Sequence, residues 1–491
     1  MVGNFPENGV AVGAPRPDPM SPSVEGAHGL TMSLAERACL SRVRNMPPPA
    51  GSALHEGHRE MSSQSPAETE IALGGRGQLF HLLAEASEIE HTLMCSYLFA
   101  AFSLRTGAEG GLEGEQAAAV ERWRGVILSV AIDEMVHLLL VANLSIAIGG
   151  RPHFGRPNFP VEAGYFPSDV VVKLTPFSPK TLDHFIFLER PRGLHLEDGE
   201  GFEPEAEYVR EAGDPRLMPS HQDYATVGHL YEALRANLLR CCAHLGEEQL
   251  FIGPVSAQVG AADFDLESVN TIANLGEALR AIDTIVEQGE GSPSDREGSH
   301  YQRFIVVRQE HQALMEADPT FEPSWPVTES PVMWRPPAGD EMAYIDGRDA
   351  APVLDLGNAV YGLLLQLVVQ AFGRTGEGAG AAQRRLMAAA IDLMHVLARV
   401  AGALVRLPAG LEHEGRHAGL SFTMLRAVEP FFTGEAEDVL ILERLAELRS
   451  GAERLERRVA GLAGLASAIA AVSQEYRTGR ATEKGDADGT G

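Results

Sequence analysis

The sequence predicts an all-α protein, a bundle of long helices followed by a C-terminal α-helical extension. Three observations carry this. Long stretches place apolar residues at three- and four-residue intervals with no glycine or proline inside them. The gaps between those stretches are crowded with glycine and proline. Only the short run Val170–Leu174 reads as a strand, and no 20–50-residue repeat is visible, which argues against a solenoid.

Taken in order, residues 1–72 are rich in Pro, Gly and Ser and read as an irregular arm, with one short helical segment at Ser33–Val43. His55 and His58 in this arm read as a solvated pair. A long amphipathic helix runs from Gln78 to Arg105, and Gly107–Gly114 breaks it. A second helix spans Gln116–Ile148 and stops at Gly149-Gly150 before Pro152. At 1.5 Å per residue both have bundle length, about 40–50 Å. Next comes an excursion, RPHFGRPNFPVEAGYFP, then a short helix over Pro179–Glu189 and a charged loop to Ser220. Further helices are expected over Asp223–Leu245 and Leu266–Gln288, and a fifth from Ser299. Residues 317–350 read as a connector. The extension holds helices at Val353–Phe372, Ala381–Val405, Gly419–Val428 and Glu435–Tyr476. The organisation is therefore an arm (1–72), a helical bundle (73–316), a connector (317–350), a C-terminal helical region (351–477) and a polar tail (478–491).

Composition narrows the function. The 491 residues carry 68 acidic and 40 basic side chains, a net charge of −28, which disfavours binding to phosphate backbones or anionic lipid. With 44% hydrophobic residues the chain can bury a large core. Four cysteines, none in a CxxC, fit a reducing compartment without a disulfide framework. The N-terminus lacks the basic and apolar regions of a signal peptide, and the apolar runs fall short of a membrane span. The expectation is a cytoplasmic protein with a small-molecule substrate, with no nucleic-acid or membrane partner, and compatible with a homodimer.

Chemistry appears where carboxylates and histidines interrupt apolar helix faces. On the second helix, SVAIDEMVHLLLVANL is apolar nearly all round yet carries Asp133, Glu134 and His137. Glu134 and His137 are i and i+3, so they share a face. A carboxylate and an imidazole buried together cost several kcal/mol unless paired or bound to a cation. The first helix carries Glu90 with Tyr97 two turns on, and Glu88 on a neighbouring stripe. Glu90 is preferred as ligand, because ferritin-like first helices carry one metal-binding Glu with a Tyr two turns later. Tyr97 is the candidate catalytic residue. The third long helix offers His229 or Glu232, the fourth Glu287, and beyond it come Glu290 or His300. Carboxylates on several helices, two with a partnered His, match the dimetal arrangement of ferritin-like four-helix bundles. Hard oxygen and imidazole donors suit Fe, Mn or Zn, with one or two ions and iron preferred. His413–His417 is a literal HExxH, but its glycines and the nearby proline mark it as a solvated loop.

The segments EIEHTLMCSYLFAAFSL, AIDEMVHLLLVANLSIAIGGRP, IVEQGEG and SHYQRF resemble the iminophenyl-pyruvate dimer synthase family of ferritin-like proteins. LGNAVYGLLLQLVVQAFG and HAGLSFTML resemble that family's C-terminal region. The resemblance covers about Arg76 to Leu448. It implies a ferritin-like fold and an iron-dependent oxidoreductase of secondary metabolism, whose named members couple imines of indole-pyruvate. Haem accompanies some of them but has no support in this sequence. The rival expectation is a non-enzymatic metal-binding or scaffold protein.

Overall fold

The computed structural model describes residues 75–488 apart from 163–164, 167–169, 203–225, 262, 264–267, 290–297, 338–340, 377 and 425–428. The expectations for the N-terminal arm and for Glu290 lie outside the described residues. Among the described residues the fold is all-α, and strands are confined to the parallel pair β1 (Pro331–Val332) and β2 (Ala343–Tyr344).

The first two helices are α1 (Arg76–Ser103) and α2 (Gly114–Ala147), and they pack along each other. Both bury residues on almost every stripe, as helices enclosed by protein do. Behind α2 comes α3 (Pro179–Leu188), where Ser178 caps the start by accepting from the Thr181 N–H and Pro179 sits at the first position. Next are α4 (Val227–Leu245), capped by Thr226, and the single turn α5 (Glu247–Leu250). Two helices complete this half, α6 (Leu275–Gln288) and α7 (His300–Ala317). The last of these packs on α3 and α2. Gly253 lies hard against the end of α2: its N–H donates to the Ala147 carbonyl, and a Cβ there would sit 1.7 Å from the Ile146 oxygen.

The C-terminal helices are α8 (Ala350–Ala371), α9 (Ala379–Leu404), α10 (Glu435–Glu456) and α11 (Leu465–Asp488). α8 packs on α9, and α10 and α11 cover them. A polar clamp joins this block to α1. Arg156 is buried, and its guanidinium donates to the carbonyls of Pro157 and Phe422 and to the Tyr361 hydroxyl. The same hydroxyl lies 2.5 Å from Nε2 of His91.

Several boundaries move. The helix expected from Leu266 begins at Leu275, because Asn274 accepts from the Glu277 N–H and caps it there. The preceding segment is held extended by the buried Asn143 side chain, which donates to the carbonyls of Val259 and Asn270. The helix expected over Glu435–Tyr476 is two helices, divided around Gly464 at φ 77°. Residues 419–424 are not helical, and α11 continues through Asp488, into the expected tail. Val172 forms only an isolated bridge to Val161. The membrane expectation also changes: by length and composition α2, α8 and α9 could cross a membrane, with windows of mean hydropathy 2.0, 1.5 and 1.5. Each buries more than half of that window within the fold, which accounts for the composition without lipid.

Candidate metal centre

Six acid and imidazole side chains converge inside the first half of the fold. Glu90 comes from the middle of α1, and Asp133, Glu134 and His137 from the apolar centre of α2. Glu189 is the residue that ends α3, and His300 is the first residue of α7, whose Ser299 cap accepts from the Gln302 N–H. All six are buried. Glu90, Glu134 and His137 each offer a ligand atom within 4.8 Å of the others, and so do Glu134, Glu189 and His300. Glu134 belongs to both groups.

His137 Nδ1 lies 3.0 Å from Oε2 of Glu134 and 3.3 Å from Oε2 of Glu90, while its Nε2 is 3.0 Å from Oε1 of Gln288. His300 Nδ1 lies 2.9 Å from Oε1 of Glu134 and 3.6 Å from Oε2 of Glu189. Its Nε2 is 3.4 Å from Oδ2 of Asp133, which also accepts from Arg303 Nη1 at 2.8 Å. The two imidazoles stack with centroids 5.6 Å apart. Two phenols close the ring of contacts. Tyr97 donates to Oε1 of Glu189 at 2.5 Å, and Tyr231 of α4 donates to Oε1 of Glu90.

The electrostatics are those of too many anions in a dry place. Burial, and then the charge of Glu134, push the Glu90 carboxyl up to about 8. Burial opposes charge on His137, but the carboxylates of Glu134 and Glu90 overcome it and raise the imidazole to about 10. His300 is likewise raised well above its ordinary value, against burial, by Glu134 and Glu189. Burial acts to raise Asp133, yet His300 and Arg303 bring it down to about 2. Burial and the neighbouring carboxylates push both phenols well up, so they stay protonated donors.

The residues fit a divalent cation. Both ring nitrogens of His300 are buried, and neither makes a hydrogen bond of acceptable geometry although carboxylate oxygens surround them. A ring nitrogen amid carboxylates but aligned with none suits a shared cation better than a proton. The donor set is oxygen and imidazole, the chemistry of Fe, Mn or Zn.

Of the residues expected from sequence, Glu90, Glu134, His137 and His300 come together, and Tyr97 stands on Glu189. Three others do not join them. Glu232 is on the outer face of α4, exposed and ion-paired with Arg192. Glu287 is exposed on α6, and the neighbouring position, Gln288, is the one that reaches His137. His229 is buried in the first turn of α4 but belongs to neither group, and α4 meets the site through Tyr231. Glu88 is half-buried on another stripe, where it accepts from Tyr165 and lies 2.9 Å from His153 Nε2. Glu189 was missed; its signal was a lone acid closing the apolar run FIFL. His413 and His417 lie in a turn-rich segment, as the glycines there implied.

Fold and site together define a ferritin-like helical bundle with buried carboxylate and histidine groups. Residues 83–309 match the protein family described as Ferritin-like, and the chain carries that domain. Two homologues narrow the class to the group its sequence motifs resemble. The chain is 30% identical over 383 residues to dichlorochromopyrrolate synthase of Lentzea aerocolonigenes, across 71% of this chain and 36% of that protein. It is 28% identical over 394 residues to 2-imino-3-(indol-3-yl)propanoate dimerase of Chromobacterium violaceum, across 74% of this chain and 35% of the dimerase. The chain thus spans only about a third of the length of either relative. A solved ferritin-like protein from Caulobacter vibrioides superposes with a TM-score of 0.42 at 17% identity, over 69% of this chain and 98% of its own.

Proposed function

We propose that this chain is a metal-dependent oxidoreductase of secondary metabolism that acts on a small aromatic or amino-acid-derived substrate, by imine coupling or related chemistry. The observation that carries the reading is Glu134, one buried carboxylate shared by two carboxylate–histidine groups. Glu90, Glu134 and His137 would hold one ion, and Glu134, Glu189 and His300 a second, with iron the preferred metal and Mn or Zn compatible. Iron, when bound, supplies electron transfer to O₂ or peroxide. The protein's own part is to exclude water and fix the donors. Gln288 accepts from His137 Nε2–H, which leaves Nδ1 to face the carboxylates. Tyr97 and Tyr231 each hold a carboxylate oxygen, so Glu189 and Glu90 keep one orientation. The names of the two homologues, a synthase and a dimerase, support an enzyme rather than a store.

Metal analysis of freshly purified protein, combined with oxygen uptake in the presence of an imine of indole-pyruvate, tests this. Metal near or above one per chain with substrate-dependent uptake is the expected result. Metal without uptake makes the protein a passive binder. Iron, manganese and zinc all far below one per chain, with His137→Ala changing nothing, overturns the metal reading.

A further inference from the structure

A groove of about 430 Å³ runs between α9 and α11. Ala381, Ala388 and Ala389 of α9 and Val472 of α11 give it an apolar lining. Across it Asp392 of α9 meets Glu475 of α11, and the two carboxyl groups are hydrogen-bonded to each other. That bond exists only while one of them carries a proton, because an ionised carboxylate accepts and does not donate. Asp392 is half-buried and Glu475 exposed, so the proton exchanges with solvent. The other charged groups are turned elsewhere. Arg385 of α9 lies 3.8 Å from Glu437 and 3.3 Å from Asp438, both of α10, and stacks on the Tyr476 ring of α11. Tyr476 donates to Asp438 and is pushed up by burial, so it stays neutral, and Arg480 of α11 pairs with the same carboxylate. Arg384 stands two turns before Asp392, largely exposed and 4.0 Å from Asp263. His395, one turn after Asp392, is exposed, and α8 brings no charged side chain to the groove among the described residues.

We propose that this pair is an acid-closed clasp on the C-terminal helix: a proton shared by Asp392 and Glu475 ties α11 to α9, and its release sets two like charges against each other across the groove, so that α11 detaches more often. Burial, and then the charge of Glu475, raise Asp392 from 3.8 to about 6, and among the described residues no cation brings it back down. The docked helix therefore holds this proton more tightly than the detached one. The stabilisation is complete below 3.8 and is lost as pH rises through about 6. Ile469, Val472 and Tyr476 bury the apolar side of α11 whatever the charge of the pair. The change is therefore in how often the helix opens, not in whether the chain folds. Neither carboxyl group belongs to the metal centre.

Hydrogen exchange of the α11 amides tests the clasp, followed by mass spectrometry at pH 5 and pH 7.5 and corrected for the intrinsic pH dependence of amide exchange. With 3.8 for Asp392 in the detached helix and about 6 in the docked one, opening of α11 in the unmodified chain is expected to be roughly tenfold more frequent at pH 7.5. In Glu475→Gln the neutral amide donates to an ionised Asp392, so opening keeps its low, acid-side frequency at both pH values. Asp392→Asn does the same from the other helix. A pH dependence that arises elsewhere, at the metal centre for instance, survives in both variants. An α11 whose corrected exchange is the same at both pH values in the unmodified chain overturns the proposal even if neither variant folds. So does a pH dependence that persists undiminished in either folded variant.

Discussion

Raising the pH of the metal-stripped protein from 7 to 9 is expected to lower its stability, and loading the centre to remove the effect. The reason lies in protons the fold holds that the unfolded chain releases. Glu90 is raised from 4.5 to about 8, so the stabilisation it gives is complete below 4.5 and is lost as pH rises through 8. His137 is raised from 6.5 to about 10, so its contribution is complete below 6.5 and is lost as pH rises through 10. Glu90 and His137 alone hold up to two extra protons between pH 7 and 8 and about one between 8 and 9, and His300, raised in the same sense, adds to the loss. At about 1.4 kcal/mol per proton per pH unit the first two groups contribute at most roughly 4 kcal/mol. The carboxylates and imidazole titrate together rather than independently, so about 3 kcal/mol is the expected loss. Asp133, lowered to about 2, contributes stability above 3.8 that is lost only as pH falls through 2, and plays no part in this window.

A bound divalent cation takes the place of those protons, so zinc-loaded protein should be nearly flat over the same range. The assay is urea unfolding at pH 7, 8 and 9, followed by circular dichroism, for chelated and zinc-loaded chain. Glu90→Gln is the control, since a neutral amide keeps the site uncharged there at every pH and should remove a good part of the slope. The general effect of the acidic surface, with its net charge of −28, is common to all three samples. A chelated protein whose midpoint does not move, or one that moves equally with zinc bound, refutes the reasoning.

Three further outcomes follow from single contacts. Glu134→Ala should abolish metal uptake, whereas His137→Ala and His300→Ala should each leave about one ion of a pair, because only Glu134 serves both groups; equal loss in all three, by elemental analysis, denies two positions. Gly253→Ala places a Cβ 1.7 Å from the Ile146 oxygen, and the backbone must shift at a cost of about 3 kcal/mol. An unchanged melting temperature argues that the loop does not hug α2. Asn143→Ala strands the N–H of Val259 and the carbonyls of Val259 and Asn270, for about 3 kcal/mol. Unfolding in urea measures it, and a loss below about 1 kcal/mol would mean that water replaces the amide.

What could be read from the sequence depended on how local the signal was. Glu90, Glu134 and His137 were legible because each interrupts an apolar helix face, which has no cheap explanation without a partner or a cation. His300 was legible only as an alternative to Glu290, since nothing in QGEGSPSDREGS says where the chain re-enters. Glu189 stands 99 positions from Glu90 at the end of a ten-residue helix, and only the tertiary packing of α3 on α7 brings it in. The departures from expectation on α4 and α6 are rotations. His229 and Glu232 share a stripe, but the helix presents Tyr231, about 100° from Glu232 and about 160° from His229, to Glu90. On α6 the neighbour of Glu287 does the same. Helical periodicity gives the relative placement of residues on one helix, and which stripe faces inward is set by the helices around it.

The helical extension reaches the turn of α1 that carries Glu90 through His91. His91 follows Glu90 on α1 and points the other way, with Nδ1 3.0 Å from the Phe154 carbonyl and Nε2 against the Tyr361 hydroxyl of α8. Burial, with the Arg156 charge adding to it, pushes this imidazole well down, so it is neutral and takes one N–H to Phe154 while accepting from Tyr361. Arg156, buried with no carboxylate partner among the described residues, spends its donors on Tyr361 and on two carbonyls, one of them Phe422 at the strained φ of 45°. A buried guanidinium and a residue at positive φ are both costly, and together they fix a single arrangement of α8 on α1. The turn of α1 that carries Glu90 is thus gripped on its far side by the C-terminal half. The ligand role proposed for Glu90 needs that rigidity, because a donor that drifts loses coordination before the fold loses stability.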